Sequence, residues 1–513
     1  MTDNLIKAMQ VLGSGQQPNL VEGATLTALY DALSGVSKMD DLPGLVKATY
    51  NQSGSAVSGL TAYDLEAPAK LFYPVLTPLR NMIPRVSGKG GIQANWRAIT
   101  GVNTALLNAG VSEGNRGGTI AVSTQDFTAA YKGIGFESSA SFEAQYAGEG
   151  FDDVRMRAQQ GGLHSLMLAE ERMLLAGNGS LALGTTPTPS RTAGTSGGGL
   201  SDGTYTVGCV ALTADGYFRN TVAGGLVTSY VRTNADGSTD TINGGTAQKS
   251  ATGTVVLSGG TAVQKITASV TAVRGAAAYA WFWGTGGVAT LGAITTVPTY
   301  VITAAATGTQ VISSLPSTDN SIDTLAFSGL TTLAATSGSN SYWVDLAGAT
   351  LTGDGVGGIV EIDALLKSQW DVFRLNPEIM WVSSQQANDL GKKILAGNAN
   401  GAFRINVDMQ RGLMGGGVMV ATYLNKFGMN GATEVQIRQH PFISPGTILF
   451  TQASLPYPMN DTPNVFQVRN RQDYYSIEWP RRSRKYEYGV YADEVLQLFF
   501  PPAISLLTGI AAG

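Results

Sequence analysis

Residues 149–180 read EGFDDVRMRAQQGGLHSLMLAEERMLLAGNGS. Met156, Leu163, Met167 and Leu174 recur at helical spacing, with Leu166 and Met173 beside them. This is a helical stripe, not the alternation of a strand. Asp152 and Asp153 fall in the first turn and Arg172 near the last, as the helix dipole prefers. Gly177-Asn178-Gly179 offers residues that tolerate a left-handed C-cap and so marks the stop. Gly161-Gly162 predicts a bend in the middle. At roughly 1.5 Å per residue the helix is about 40 Å long. One long helix with β-like sequence on both sides reads as a structural backbone, not as the wall of a pocket.

The composition around it points the same way. At 513 residues the chain has room for more than one domain. The apolar fraction of 43% supports real cores, but only 14% of residues are charged, against roughly 25% in an ordinary soluble domain. With 65 glycines and much Thr and Ser, this fits an extended β protein or a subunit of a large assembly. A net charge of -4 excludes a chain that is as a whole an electrostatic trap for nucleic acid. The single cysteine, Cys209, excludes an intrachain disulfide. The start, MTDNLIKAMQ, lacks the pattern of a signal peptide, and the apolar tail LQLFFPPAISLLTGI is broken by Pro501-Pro502 and too short to span a bilayer. No membrane partner is expected.

Outward from the helix, residues 1–60 carry short helical patterns (Leu5, Met9, Leu12; then Leu26, Leu29, Tyr30, Leu33) that need a partner surface. Residues 61–84 hold four prolines among apolar residues, the pattern of an extended strap. Residues 85–137 read as a long two-stranded excursion, with limbs near GGIQANWRAIT and TIAVSTQDFTAAYKGIGFESS. Such a hairpin is marginal alone. After the helix, SLALGTTPTPSRTAGTSGGG reads as a linker. From Asp202 to Leu315 short β runs (YTVGCVAL, LVTSYVRT, GTVVLSG, QKITASV, AAAYAWFWGT, TYVITA, TQVISSL) alternate with turn signals, the pattern of an inserted β-sandwich. GIVEIDALLKSQWDVF then predicts an amphipathic helix with Ile362, Leu365, Leu366 and Val372 near one face. NPEIMWVSS predicts a buried strand, QQANDLGKKILAG a second helix, and EVQIRQHP, GTILFTQ, NVFQVRN, YSIEWP and KYEYGVYADEVLQLFFPP a run of strands.

The sequence shows little that carries catalysis. The two histidines are expected in packing or surface roles, His164 on the helix and His440 at a strand end. Without HExxH or CxxC, a metal site has no motif behind it. Gly194-Thr195-Ser196-Gly197-Gly198 matches Gly-x-Ser-x-Gly, but in the linker, where the strand–turn–helix context of a nucleophile is missing. Gly353-Asp354-Gly355-Val356-Gly357-Gly358 matches the dinucleotide fingerprint just before a helix; in so Gly-rich a chain about one such match arises by chance, and a plain Gly loop is the better reading. The adjacent acids Asp152/Asp153 and Glu170/Glu171 read as solvated or salt-bridged. Trp281 and Trp283 share one face of a strand and Phe282 takes the other, so the triplet reads as sandwich core before sugar platform. Arg481, Arg482, Arg484 and Lys485 form the strongest charge run, able to pair with a neighbouring subunit's acids or with DNA phosphates. Arg85, Lys89, Arg97, Glu113, Arg116 and Lys132 on the excursion are further intersubunit ion-pair candidates. No catalytic residue, cofactor or metal is expected.

The order of parts resembles the tailed-phage major capsid proteins of the HK97 type. Leu168–Gly179 resembles the end of that family's spine helix, Ile362–Ile394 its A-domain helix, strand and helix, and FQVRNRQDYYSIEW the return through its peripheral domain. The resemblance covers about 1–187 and 323–513 and implies an α+β fold. Its parts are an N-arm (1–84), an E-loop (85–137), a P-domain with the spine helix (138–187), an A-domain (323–440) and return strands through both (441–513). Residues 188–322 depart from that pattern and resemble an immunoglobulin-like or fibronectin-like sandwich, expected on the outside. The resemblance implies hexamers and pentamers closing an icosahedral shell around double-stranded DNA, with a portal and scaffold or decoration proteins as partners, assembled in the host cytoplasm. Two alternatives stand beside it: an encapsulin-like shell, and a secreted carbohydrate-active or carbohydrate-binding protein with an immunoglobulin-like module.

Overall fold

The computed structural model describes residues 73–102, 110–116, 119, 121–149, 152–396, 407–408, 413–414, 420–428, 433–458 and 460–513. The short helices expected over 1–60 and the strap up to residue 72 lie outside the described residues.

The chain runs α1 (Pro78–Met82), β1 (Arg85–Ser87), β2 (Gln93–Val102), β3 (Val122–Ala130), β4 (Lys132–Ser141), α2 (Phe142–Gly148) and α3 (Val154–Ala176). Next come β5 (Ser190–Gly194), β6 (Gly203–Leu212), α4 (Ala214–Arg219), β7 (Ser229–Thr233), β8 (Thr239–Asn243), β9 (Gly253–Leu257), β10 (Lys265–Ser269), β11 (Ala278–Thr285), β12 (Thr290–Thr295) and β13 (Thr299–Ile302). Then follow α5 (Leu330–Ala335), β14 (Trp343–Asp345), α6 (Val360–Phe373), β15 (Ile379–Val382), α7 (Ser384–Ala396) and the short β16 (Val407–Asp408) and β17 (Leu413–Met414). Last are β18 (Thr422–Asn425), β19 (Thr433–Gln439), β20 (Ile448–Thr451), β21 (Phe466–Glu478), β22 (Lys485–Leu498) and β23 (Ile504–Thr508). The mixture is α+β, as expected. The described residues form two compact units. The smaller takes Ser138–Gln159 and Glu478–Tyr488; the larger takes Phe72–Glu137, Gln160–Ile477 and Gly489–Gly513.

In the smaller unit the Ser141 hydroxyl caps α2 by accepting from Ala144 N–H at 3.1 Å. Asp153 caps α3, its Oδ1 accepting from Arg155 and Met156 N–H. The two acids thus precede the helix instead of filling its first turn. The helix is also shorter than its sequence signal, about 34 Å at roughly 1.5 Å per residue. It runs through Gly161-Gly162 without a break.

In the larger unit α3 buries Gly162, Leu166, Glu170, Glu171, Leu174 and Leu175. Met156 is 60% exposed, so the buried stripe is not quite the predicted one, and two carboxylates lie in it. The C-terminus of α3 differs as well. Neither Gly177, Asn178 nor Gly179 is left-handed. A Cβ on Gly177 would meet Phe327 O at 2.4 Å, and one on Gly179 would meet Ala326 O at 2.3 Å, so close approach of the returning chain requires these glycines. That chain caps the helix: Thr331 and Thr332 hydroxyls and Gly329 N–H donate to the carbonyls of Leu175 and Gly177.

β2 and β3 pair antiparallel from Gln93↔Ala130 to Val102↔Val122. The hairpin is therefore shorter than 85–137. β1 and β4 leave it to join a sheet ordered β1-β21-β22-β4, because Ile134 on β4 packs inward with Leu166, Val490 and Ala492. NVFQVRN and YSIE fuse into the one strand β21.

A six-stranded sheet ordered β14-β23-β20-β15-β19-β18 carries the second core. β15 is buried throughout, parallel to β19 and antiparallel to β20. The apolar tail supplies β23, which lies between β14 and β20 and is also buried throughout; the sequence reading missed it together with β14, β12 and α5. On α6, Ile362, Leu365 and Leu366 face that core, while Val372 lies one step off the stripe and is 64% exposed.

The stretch expected as an insertion contains a three-stranded sheet (β13-β10-β5) and a four-stranded sheet (β12-β11-β6-β9). Their facing residues, among them Val207, Cys209, Ile266, Ala268, Trp281, Trp283 and Ile302, form one core. The predicted linker supplies β5, whereas TQVISSL forms a 3-10 turn at Ile312–Ser314. Phe282 packs a separate cluster with Val210, Leu226 and Ile312. The two ends of the stretch are tied together: Asn178 donates to Leu181 O at 2.7 Å and Ser321 O at 2.9 Å, and Gly184 N–H donates to Asp319.

Candidate functional site

The most concentrated polar chemistry among the described residues of the larger unit surrounds Glu170 and Glu171. The sequence places two acids side by side near the end of α3, and the packing turns both into the interior, where both are fully buried. The expectation of solvated acids is corrected here. Its alternative, a salt-bridged pair, describes Glu170.

Glu171 caps α1 from a distance. Pro78 opens α1 and Thr77 gives no side-chain cap. The Glu171 carboxylate instead accepts from Leu79 N–H at 2.8 Å and Arg80 N–H at 2.7 Å, meeting two orphan donors of the first turn. His440 Nε2 lies 2.6 Å from the same carboxylate, and His440 Nδ1 accepts from Phe442 N–H at 3.1 Å. This pattern assigns the proton to Nε2, which donates to Glu171. The ring stands edge-on to Trp381. His440 follows β19 as the sequence suggested, but fully buried and partnered by α3.

Glu170 gathers the other side. It accepts from Arg80 Nε at 3.1 Å, from Arg85 Nη1 and from the Tyr474 hydroxyl. Arg85 Nη2 also bonds Glu494 at 2.7 Å and Asp473 at 2.8 Å. Both guanidiniums lie over the Tyr474 ring, Arg80 at 4.9 Å and Arg85 at 4.5 Å from its centroid. Burial raises the Glu170 pKa. Burial, together with the Glu170 charge, pushes Glu494 up to about 8. Glu494 Oε1 is buried without a hydrogen-bond partner among the described residues. Burial opposes the Arg85 charge, but Glu170, Glu494 and Asp473 outweigh it and its pKa is raised. The arrangement holds charge firmly, with Glu170, Glu171 and Glu494 fully buried. What it does is pin the segment from α1 to β1 onto α3, β21 and β22.

The residues singled out in the sequence are scattered relative to this cluster. Arg85 alone belongs to it, with its charge met inside its own chain. Arg97 pairs with Asp126 across the hairpin at 2.6 Å, exposed on both sides. Lys132 donates to Thr324 O at 2.5 Å. Lys89, Glu113 and Arg116 are exposed and without an ion pair among the described residues. In the smaller unit Arg484 pairs with Glu143 at 2.8 Å and Arg481 lies over Tyr486, whereas Arg482 and Lys485 have no such partner among the described residues.

Other sequence signals resolve into packing. Asp354 Oδ1 accepts from Val356 and Gly358 N–H, so the Gly-rich loop before α6 is closed by its own carboxylate and these amides are not free for a phosphate. Lys426 bridges Asp354 and Asp363. The Gly-x-Ser-x-Gly match does follow a strand, β5, contrary to the sequence reading, but no helix follows it. Trp281 and Trp283 are buried, their indole N–H groups donating to Thr295 Oγ1 and Ala304 O, which leaves no exposed aromatic platform on that strand. Among the described residues no helix is long and apolar enough to cross a membrane.

No protein-family model matches the sequence, and no curated protein matches it. Among solved structures the chain is similar to the capsid of Myoviridae phage XM1, at 13% identity, covering 87% of this chain and 95% of that one with a TM-score of 0.38. It is similar to the cyanophage A-1(L) capsid at 11% identity, covering 89% and 98% with a TM-score of 0.41. It is also similar to the capsid of the native GTA particle at 9% identity, covering 90% and 100% with a TM-score of 0.39.

Proposed function

We propose that this chain is the major capsid subunit of a tailed phage, a structural protein without catalysis. The observation that carries the proposal is the β2–β3 hairpin. Its strands pair over their whole length, yet Ala94 is its one buried residue among those described, and Ile92, Ile99 and Val122 on or beside it are exposed. An isolated two-stranded ribbon of this kind is marginal and its open edges invite pairing, so its stability must come from another copy. The clamped α1–β1 segment at its base supports the same reading, because it holds the ribbon's origin still while the ribbon reaches outward.

In finer terms, copies form hexamers and pentamers that close an icosahedral shell around double-stranded DNA, with a portal and scaffold or decoration proteins as partners. The parts follow the boundaries 1–84, 85–137, 138–187, 188–322, 323–440 and 441–513. Residues 188–322 form an immunoglobulin-like domain displayed on the outer surface. Contacts with DNA are weak and non-specific, a reading that the net charge of -4 supports. Assembly takes place in the host cytoplasm.

Electron microscopy and sedimentation of the purified full chain test this. Closed, uniform shells are expected, with nuclease-protected DNA in particles from infected cells. A stable monomer at high concentration would refute the proposal, and shells filled with a protein cargo would move it to an encapsulin-like compartment.

A further inference from the structure

The smaller unit holds a cavity of about 700 Å³ at the start of α3, lined by Phe142, Tyr146, Glu149, Asp153, Arg155 and Tyr486 among others. Its walls are suited to a cation. Arg155 already lies 4.2 Å from the Tyr486 ring centroid and bonds Tyr488 and Glu478, so these tyrosines hold one guanidinium. Tyr146, edge-on to Phe142, is 64% exposed. The Asp153 carboxylate is taken by helix amides and that of Asp152 by Arg157 at 2.9 Å. Glu149 is exposed and has no ion pair among the described residues.

The exposed turn 481–485 of the same unit supplies the complement. Arg481 and Arg484 are occupied at home, by Tyr486 and Glu143. Arg482 and Lys485 have no such partner among the described residues. Among those residues the turn therefore leaves two cations unmatched beside a cavity that leaves an acid and an aromatic face unmatched.

We infer that the turn of one copy docks in this cavity of a neighbouring copy, with Arg482 reaching the Tyr146 ring and the Glu149 carboxylate and Lys485 at the rim. The inference rests on the capsid reading and deepens it by naming one contact between copies. Charge complementarity selects a second copy as the occupant. A nucleic acid would meet Glu149 and Asp153 at the mouth and be repelled.

A charge-swap cycle on the full chain tests it. Glu149→Arg and Arg482→Glu should each raise the subunit concentration needed for half-maximal shell formation about fivefold, and the double variant should return to within about twofold of the parent. All three side chains changed or contacted are exposed, so circular dichroism and melting of unassembled subunits should not move; Tyr146→Ala, which alters no charge, should weaken assembly as well. If both single variants assemble like the parent, or the double is no better than the worse single, the inference falls while the capsid reading stands. Loss with Arg482→Glu but not with Glu149→Arg also overturns it and assigns the turn to a polyanion. A parent chain that forms no particle overturns both readings.

Discussion

Glu171 performs for α1 the task usually left to a Ser, Thr or Asp at the N-cap, from 92 positions along the chain. Its carboxylate is buried with three donors aimed at it, so its removal leaves two amides and an imidazole N–H unpaired in a dry site. Glu171→Ala should destabilise the unassembled subunit by about 3–5 kcal/mol, and Glu171→Gln by less, read from urea midpoints. Glu494 supplies a pH dependence. Its pKa is raised from an ordinary 4.5 to about 8. The folded state therefore keeps a proton that the unfolded chain releases above about pH 4.5. The associated stability is fully present below that point and is lost as pH rises through about 8. The melting temperature should fall between pH 6 and 9, and Glu494→Gln, a fixed neutral mimic, should flatten that fall. An unchanged slope in the variant would assign the pH dependence to another group.

At the scale of elements, α3 organises the larger unit through what leans on it. Arg172 pairs with Asp215 at 3.0 Å and lies 5.6 Å from the Phe218 ring centroid and 5.9 Å from that of Phe442. It thereby clamps α4 of the inserted stretch to α3. The ion pair is substantially exposed and contributes little by itself; the stacking between two rings matters more. Arg172→Ala should speed amide hydrogen exchange in Ala214–Arg219 about fivefold without changing exchange in β15, and Arg172→Lys should recover part of the loss. Equal acceleration in both would mean global destabilisation, not a released clamp.

At the scale of the whole molecule, the sandwich carries its own core, separate from those of the six-stranded sheet and of the hairpin base. Its two ends are tied by Asn178, Leu181 and Ser321. An insertion with its own core and adjacent ends perturbs its host little. On the proposed capsid reading, replacing residues 184–318 by a short Gly/Ser linker should therefore still give closed shells of the same diameter, with a lower melting temperature. Irregular aggregates in place of shells would show that the sandwich takes part in closure.

Periodicity alone located the long helix, α6, α7, the buried β15 and most strands of the sandwich, because an element that packs one stripe or face writes that pattern into its own residues. The order of these elements was enough to reveal the resemblance to a capsid subunit. The sequence could not show which side of α3 faces the interior near Glu170-Glu171, since a carboxylate at that place looks the same whether water or two arginines surround it. Nor could it show that Gly177 and Gly179 serve a chain returning 150 residues later, that a Thr/Pro-rich linker forms β5, or that the apolar tail is the neighbour of β20. Each depends on a partner distant in sequence, and hydrogen bonds, ion pairs and close backbone approach are properties of pairs. Local pattern determined the elements and their order; tertiary packing decided which charges are buried, which residues cap which helix, and where the hairpin is held.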